Sequence, residues 1–153
     1  FHQIYPRVEL KVFEGATSAL TRQLDSGELD LAVVSLPLSY ASIATDELFT
    51  EELVVVVAEQ HPLAGREGVH IAELRDELFL LYSPGGYVRE ATVTACRSVG
   101  FSPRVALDSG SMELLLRLAE AGLGVAVVPQ LALTGREQLW DLRILDQQLT
   151  RTV

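Results

Sequence analysis

The chain has 153 residues, 48% of them apolar, with 21 acidic against 12 basic side chains and a net charge of −9. That balance excludes a disordered or collagen-like polymer, and it argues against a nucleic-acid grip, which needs clustered Lys and Arg. A single cysteine closes no internal disulfide and builds no thiolate metal cage, so packing has to hold the chain together, and a reducing cytoplasm is the expected compartment.

Phe1, Ile4 and Tyr5 stand at helical spacing and Pro6 ends that turn, so the chain is expected to open in the tail of a helix. Residues 8–13 alternate as a strand does, and residues 17–26 place Leu20 and Leu24 on one helical face before Gly27. Residues 29–36 are nearly all apolar, the pattern of a strand covered on both faces, so residues 8–36 predict a β-α-β unit. A second buried strand is expected at residues 53–58, a run far short of the roughly 20 residues that span a membrane. The turn His61-Pro62-Leu63 and a short helix near residues 71–74 follow. Residues 78–128 then read as β-α-β-α-β. Their strands are 78–82, 104–108 and 125–128, and their helices are 87–99 and 111–121, ended by Gly100 and Gly122. Pro129 suits the start of a short helix. Residues 139–145 read as a strand or an extended connection, and residues 149–153 alternate again. Two such series separated by a connecting strand predict an α/β protein of two small lobes, with a ligand groove at the carboxyl ends of the strands.

Several phrases become specific together: Tyr5-Pro6, Glu14-Gly15, Gly27-Glu28-Leu29-Asp30-Leu31-Ala32-Val33, His61-Pro62-Leu63, Gly100-Phe101, and Ala121-Gly122-Leu123-Gly124-Val125-Ala126-Val127-Val128-Pro129. In this order and spacing they resemble the effector-binding domain of LysR-type transcriptional regulators, over about four fifths of the chain. The resemblance implies a type 2 periplasmic-binding-protein-like fold of two Rossmann-like lobes joined by crossover strands, with a small-molecule effector in the cleft between them. On that pattern residues 1–52 belong to the first lobe, 53–58 form the outgoing crossover, 59–148 the second lobe, and 149–153 begin the return crossover. The family's first strand, the start of its first helix and its helix-turn-helix DNA-binding domain then lie outside this chain.

The candidate binding residues fall at strand-to-helix junctions. Ser83-Pro84-Gly85-Gly86-Tyr87 joins a strand to a helix, where free N–H groups, the positive helix end and the Ser83 hydroxyl can converge on a carboxylate or phosphate. Gly85 and Gly86 permit close approach, and Tyr87 can cover the ligand. A simple helix cap by Ser83 explains the same residues, and the resemblance, whose effectors contact the matching loop, favours binding. Thr17 and Ser18 open the first helix and are candidate hydroxyl donors, with an N-cap as the competing explanation. Ser35 and Pro37 follow a buried strand at its carboxyl end, where an ordinary turn explains Pro37 as well. Arg89 reads as a solvated helix residue, Ser111 as a cap, and Gly124 as a tight entry to a strand.

No catalytic motif, cofactor fingerprint or metal-ligand spacing is found; His2, His61 and His70 read as surface or turn residues, and Cys96 as a small buried one. The helix at 111–121 carries Leu114, Leu115, Leu116 and Leu118, more apolar surface than one stripe needs. Burial within the lobe explains that surplus; the side-by-side pairing the resemblance implies adds a homodimer or tetramer. The expected function is therefore sensing: a small anionic metabolite in the cleft controls DNA binding by a separate amino-terminal domain, without catalysis or cofactor. A stand-alone solute-binding protein of a transporter, or an enzyme on the same scaffold, are the alternatives.

Overall fold

A computed structural model describes residues 1–38, 40 and 42–153. Its centre is strand β1 (Thr50–Ala58), whose run Leu53-Val54-Val55-Val56-Val57 has nothing polar to offer solvent on either face and is buried throughout. The alternation of a strand divides that run. Leu53, Val55 and Val57 pack on one side with Phe79 and Val88, and Val54 and Val56 pack on the other with Leu115 and Leu116. A strand this apolar requires cover on both faces, and two helices supply it.

Strands β2 (Gly68–Val69), β3 (Leu78–Tyr82), β4 (Arg104–Ser109), β5 (Val125–Pro129) and β6 (Leu139–Ile144) join β1 in the order β2-β6-β1-β5-β3-β4. Strands β3, β4 and β5 are mutually parallel where they pair, whereas β1 runs antiparallel to both β5 and β6. Helix α2 (Tyr87–Ser98) connects β3 to β4, and helix α3 (Met112–Glu120) connects β4 to β5. The first connection steps to the sheet edge and the second steps back past β3. With one handedness for both crossovers, reversing direction puts the two helices on opposite faces. Val88, Ala95 and Cys96 of α2 accordingly sit in one core cluster and Leu115, Leu116 and Ala119 of α3 in the other.

The β-α-β-α-β reading of residues 78–128 thus agrees with the structure, as does the short 3₁₀ turn at Ile71–Leu74. Residues 139–145 are resolved in favour of a strand, β6, and residues 149–153 contain the short strand β7 (Thr150–Thr152), which pairs antiparallel with the start of β1. Pro129 closes β5 rather than opening a helical turn; that turn is Gln130–Leu133. At the amino end the helical spacing yields one turn, in which the amides of Ile4 and Tyr5 both donate to the Phe1 carbonyl at 2.9 Å.

Residues 8–36 depart from the β-α-β expectation. Helix α1 (Thr17–Asp25) forms, but residues 8–13 and 29–36 join no ladder among the described residues, apart from one bridge between Leu36 and Thr152. Alternation specifies which side chains share a face; a strand also needs a neighbour for its amides and carbonyls, and these segments have none here. Val12 is 90% exposed and Leu31 76%. On α3, Leu115 and Leu116 are buried and Leu114 is exposed, so cover within the fold accounts for much of its leucine surplus.

Candidate functional site

In a doubly wound sheet the crevice opens between the carboxyl ends of two neighbouring strands whose following helices lie on opposite faces. Here those strands are β3 and β5, whose connections leave in opposite directions, through α2 toward β4 and through Gln130–Leu133 toward β6; beside them the loop leaving β3, residues 83–86, meets the loop leaving the edge strand β4, residues 110–111. The two loops touch: the Ser83 amide donates to the Ser109 carbonyl at 2.9 Å, and the Ser83 hydroxyl oxygen lies 3.8 Å from where a side chain on Gly110 would begin. Gly85 turns the loop with φ +87°, a conformation in which any side chain adds strain.

Ser83 does not cap α2. The N-cap residue is Gly86, which has no side chain to offer, and the Ser83 hydroxyl makes no hydrogen bond among the described residues. The first-turn amides of α2 therefore keep their donor capacity and the positive end of the helix dipole. Thr17 and Ser18 do not cap α1 either, because Ala16 holds that position; the Thr17 carbonyl accepts from the Thr21 hydroxyl at 2.8 Å. Capping does occur at Ser111, whose hydroxyl oxygen accepts from the Leu114 amide at 3.3 Å. The competing explanation holds for Ser111 and fails for Ser83, Thr17 and Ser18.

Arg89 is not a solvated helix residue. Its side chain is only 16% exposed, and its guanidinium donates to the Tyr82 carbonyl at 2.6 Å and to the Asp108 carboxylate. One cation so ties together the last residue of β3, the end of β4 and the first turn of α2, which holds the Ser83–Gly86 loop on a rigid base. The fork geometry of arginine suits that double task. Sequence alone carries no signal for it, since Arg89 and Asp108 are 19 positions apart.

Strand β7 brings the other candidates toward this loop. Its inner edge faces β1, with the Val153 amide donating to the Phe49 carbonyl at 2.9 Å. On its outer edge the Thr152 carbonyl accepts from the Leu36 amide at 2.8 Å and the Thr150 carbonyl from the Tyr87 hydroxyl at 2.8 Å. Carbonyls two residues apart on a strand are about 7 Å apart and face the same edge. Leu36, between Ser35 and Pro37, and Tyr87 are thereby brought to adjacent acceptors. No hydrogen bond joins Thr17 or Ser18 to residues 83–87 among the described residues.

Behind β7 lies an ion pair that sequence reasoning missed. Glu51, 8% exposed, sits directly across the ladder from Arg151. Its carboxylate accepts from Arg151 Nε at 2.7 Å and from the Leu131 amide at 3.0 Å. The Tyr82 hydroxyl is buried nearby without a hydrogen-bond partner among the described residues; burial pushes the phenol up to about 12, opposed by Arg151 and reinforced by Glu51.

A cavity of about 570 Å³ opens at the Leu36 end of β7, among Leu31, Val33, Leu36 and Val153, with Asp25, Asp30 and Asp46 in its lining. It includes neither Ser83 nor Thr17, and its acidic groups repel an anion. Among the described residues no three His, Cys, Asp or Glu side chains gather to hold a metal ion, and no helix is long and apolar enough to cross a membrane.

The family model for the LysR substrate binding domain matches residues 1–153. The transcriptional dual regulator GltC of Bacillus subtilis is 31% identical over 131 residues, which is 85% of this chain and 44% of that protein. A probable hydrogen peroxide-inducible genes activator of Streptomyces viridosporus is 34% identical over 132 residues, 86% of this chain and 42% of that protein. The chain therefore spans less than half the length of these relatives. The CcmR regulatory domain of Synechocystis PCC6803, solved in complex with 2-PG, superposes with a TM-score of 0.85 at 26% identity, covering 99% of this chain and 76% of that one. With this similarity to LysR regulatory domains the periplasmic-binding-protein-like α/β fold agrees with the sequence reading, and the chain belongs to the LysR substrate-binding domain family.

Proposed function

We propose that this chain is the sensory part of a LysR-type transcriptional regulator and that it binds a small anionic metabolite at the Ser83-Pro84-Gly85-Gly86-Tyr87 loop. The observation that carries the reading is the uncapped start of α2 at a topological switch point, with the Ser83 hydroxyl uncommitted beside it. Donors without an acceptor at such a crevice suit a carboxylate or phosphate, and the relative CcmR was solved with 2-PG. Ser35 and Pro37, carried to β7 through Leu36, and Thr17 and Ser18 at the start of α1 form the opposite wall. Residues 1–52 and 59–148 then act as the two lobes, with 53–58 and 149–153 crossing between them.

Peroxide chemistry, named for one relative, is not supported by the cysteine here. Cys96 is the chain's single cysteine, is fully buried in the core, and burial pushes its thiol up to about 11. A redox sensor needs an accessible thiolate. Binding without catalysis therefore fits best, in a cytoplasmic regulator that pairs as a homodimer or tetramer and reaches DNA through a separate domain. To move the regulator from mostly inactive to mostly active, the metabolite has to favour one arrangement by about 10⁴-fold, roughly 5.5 kcal/mol.

Titration calorimetry with a panel of hydroxy acids and phosphorylated acids, 2-PG and shikimate among them, tests the reading. A binding acid should lose at least about ten-fold in affinity in Ser83→Ala, the worth of one hydrogen bond to a charged group. Unchanged affinity in that variant would remove the loop from the site.

A further inference from the structure

Tyr87 opens α2, yet its hydroxyl reaches out of the helix to the Thr150 carbonyl on the outer edge of β7 at 2.8 Å. The loop before it is fastened to its own lobe by the Ser83 amide on Ser109 and by the Arg89 clamp on Tyr82 and Asp108. Strand β7 in turn is fastened to β1 by its ladder and by the Glu51–Arg151 pair. Two stiff pieces are thus joined by a hydroxyl on the tip of an exposed ring. Two positions along the same edge, Leu36 donates to Thr152.

We propose that Tyr87 is a coupling residue: its hydroxyl latches the candidate effector loop to crossover strand β7, so that a change in loop geometry is passed along β7 to the Leu36 contact. This rests on the effector-site reading for its purpose, but not for its physics. The phenol is 37% exposed, so it can exchange the Thr150 carbonyl for another acceptor, such as an anion on the α2 amides, without unpacking any core. Binding at the loop and release of β7 then become two states of one hydrogen bond.

Residue-resolved amide exchange on the 153-residue chain without any ligand tests the latch separately from effector binding. The reporters are the amides of Leu36, which donates to Thr152, and Val153, which donates to Phe49; the Leu145 amide, donating to Val69 on β2, is the remote control. Tyr87→Phe keeps the ring and removes the hydroxyl. It should speed exchange at Leu36 and Val153 about five-fold, the worth of one ordinary hydrogen bond, and leave Leu145 unchanged. Gly85→Ala strains the loop at φ +87° without touching a neighbour, and should also speed the two reporters. Combined with Tyr87→Phe it should add less than a factor of about two, because the path is already cut. Unchanged reporters in Tyr87→Phe, or a full Gly85→Ala effect persisting in the double variant, would overturn the proposal. Neither result bears on whether an acid binds at Ser83.

Discussion

Gly124→Ala isolates one physical cause, because a methyl group at Gly124 would stand 2.3 Å from the carbonyl oxygen and 3.0 Å from the carbonyl carbon of Leu78. Carbon and oxygen ordinarily approach to roughly 3.3 Å, so the backbones have to part by about 1 Å. Neither side can yield cheaply. Gly124 leads into β5 and Leu78 begins β3, and the next residues, Phe79 and Val125, are ladder partners buried in the core. Overpacking against fixed backbone costs on the order of 2 kcal/mol, which in a domain of this size lowers Tm by roughly 6 °C. Gly122→Ala is the matched comparison: it meets no atom within 4 Å but has φ +76°, so only backbone strain of about 1 kcal/mol is expected. Urea unfolding followed by far-UV circular dichroism measures both. Gly124→Ala should lower the midpoint by about twice as much as Gly122→Ala, with the slope unchanged. Equal losses, or no loss in Gly124→Ala, would refute the claim that close strand approach rather than turn geometry demands that glycine.

Two further outcomes follow from titratable groups. Cys96, buried in the core with its thiol pushed up to about 11, should react with a thiol reagent near pH 8 only as fast as the protein opens, and in urea at the rate of a free thiol; rapid labelling of the native chain would contradict its burial. Hydrogen bonds from Arg66 and from the His70 amide hold the Glu73 carboxyl below its ordinary 4.5, and for Glu120 the upward push of burial is outweighed by Arg136 and Arg117, so it too is lowered. Because the folded state favours the ionised forms, their contribution is complete above 4.5 and is lost as pH falls through the lowered folded values. Urea midpoints should start to fall as the pH drops below about 4.5 and keep falling through the lowered folded values, less steeply in Arg66→Gln; parallel curves for variant and parent would count against the Arg66–Glu73 share.

Local chemistry was readable in the linear order of residues. Period-2 and period-3.6 patterns, glycines after helices and a continuous valine run are short-range signals, and they place β3, α2, β4, α3 and β5 within a residue of where they form, and β1 all but its first three residues, Thr50 to Glu52. The motifs naming the family are likewise contiguous, as is the Ser83–Tyr87 loop. Tertiary structure alone decided what depends on meeting a partner. Residues 8–13 and 29–36 have the pattern of strands, but a ladder is a property of two segments, and no neighbour completes theirs here. Ser83, Thr17 and Ser111 are alike as serine or threonine near a helix start, and only the position of the backbone amides separates the one that caps from the two that do not. Arg89 on Asp108, Glu51 on Arg151 and Tyr87 on Thr150 join residues 19, 100 and 63 positions apart. A charge or hydroxyl in a sequence declares what it can bond. Which partner stands within 3 Å is settled by how the strands close on one another.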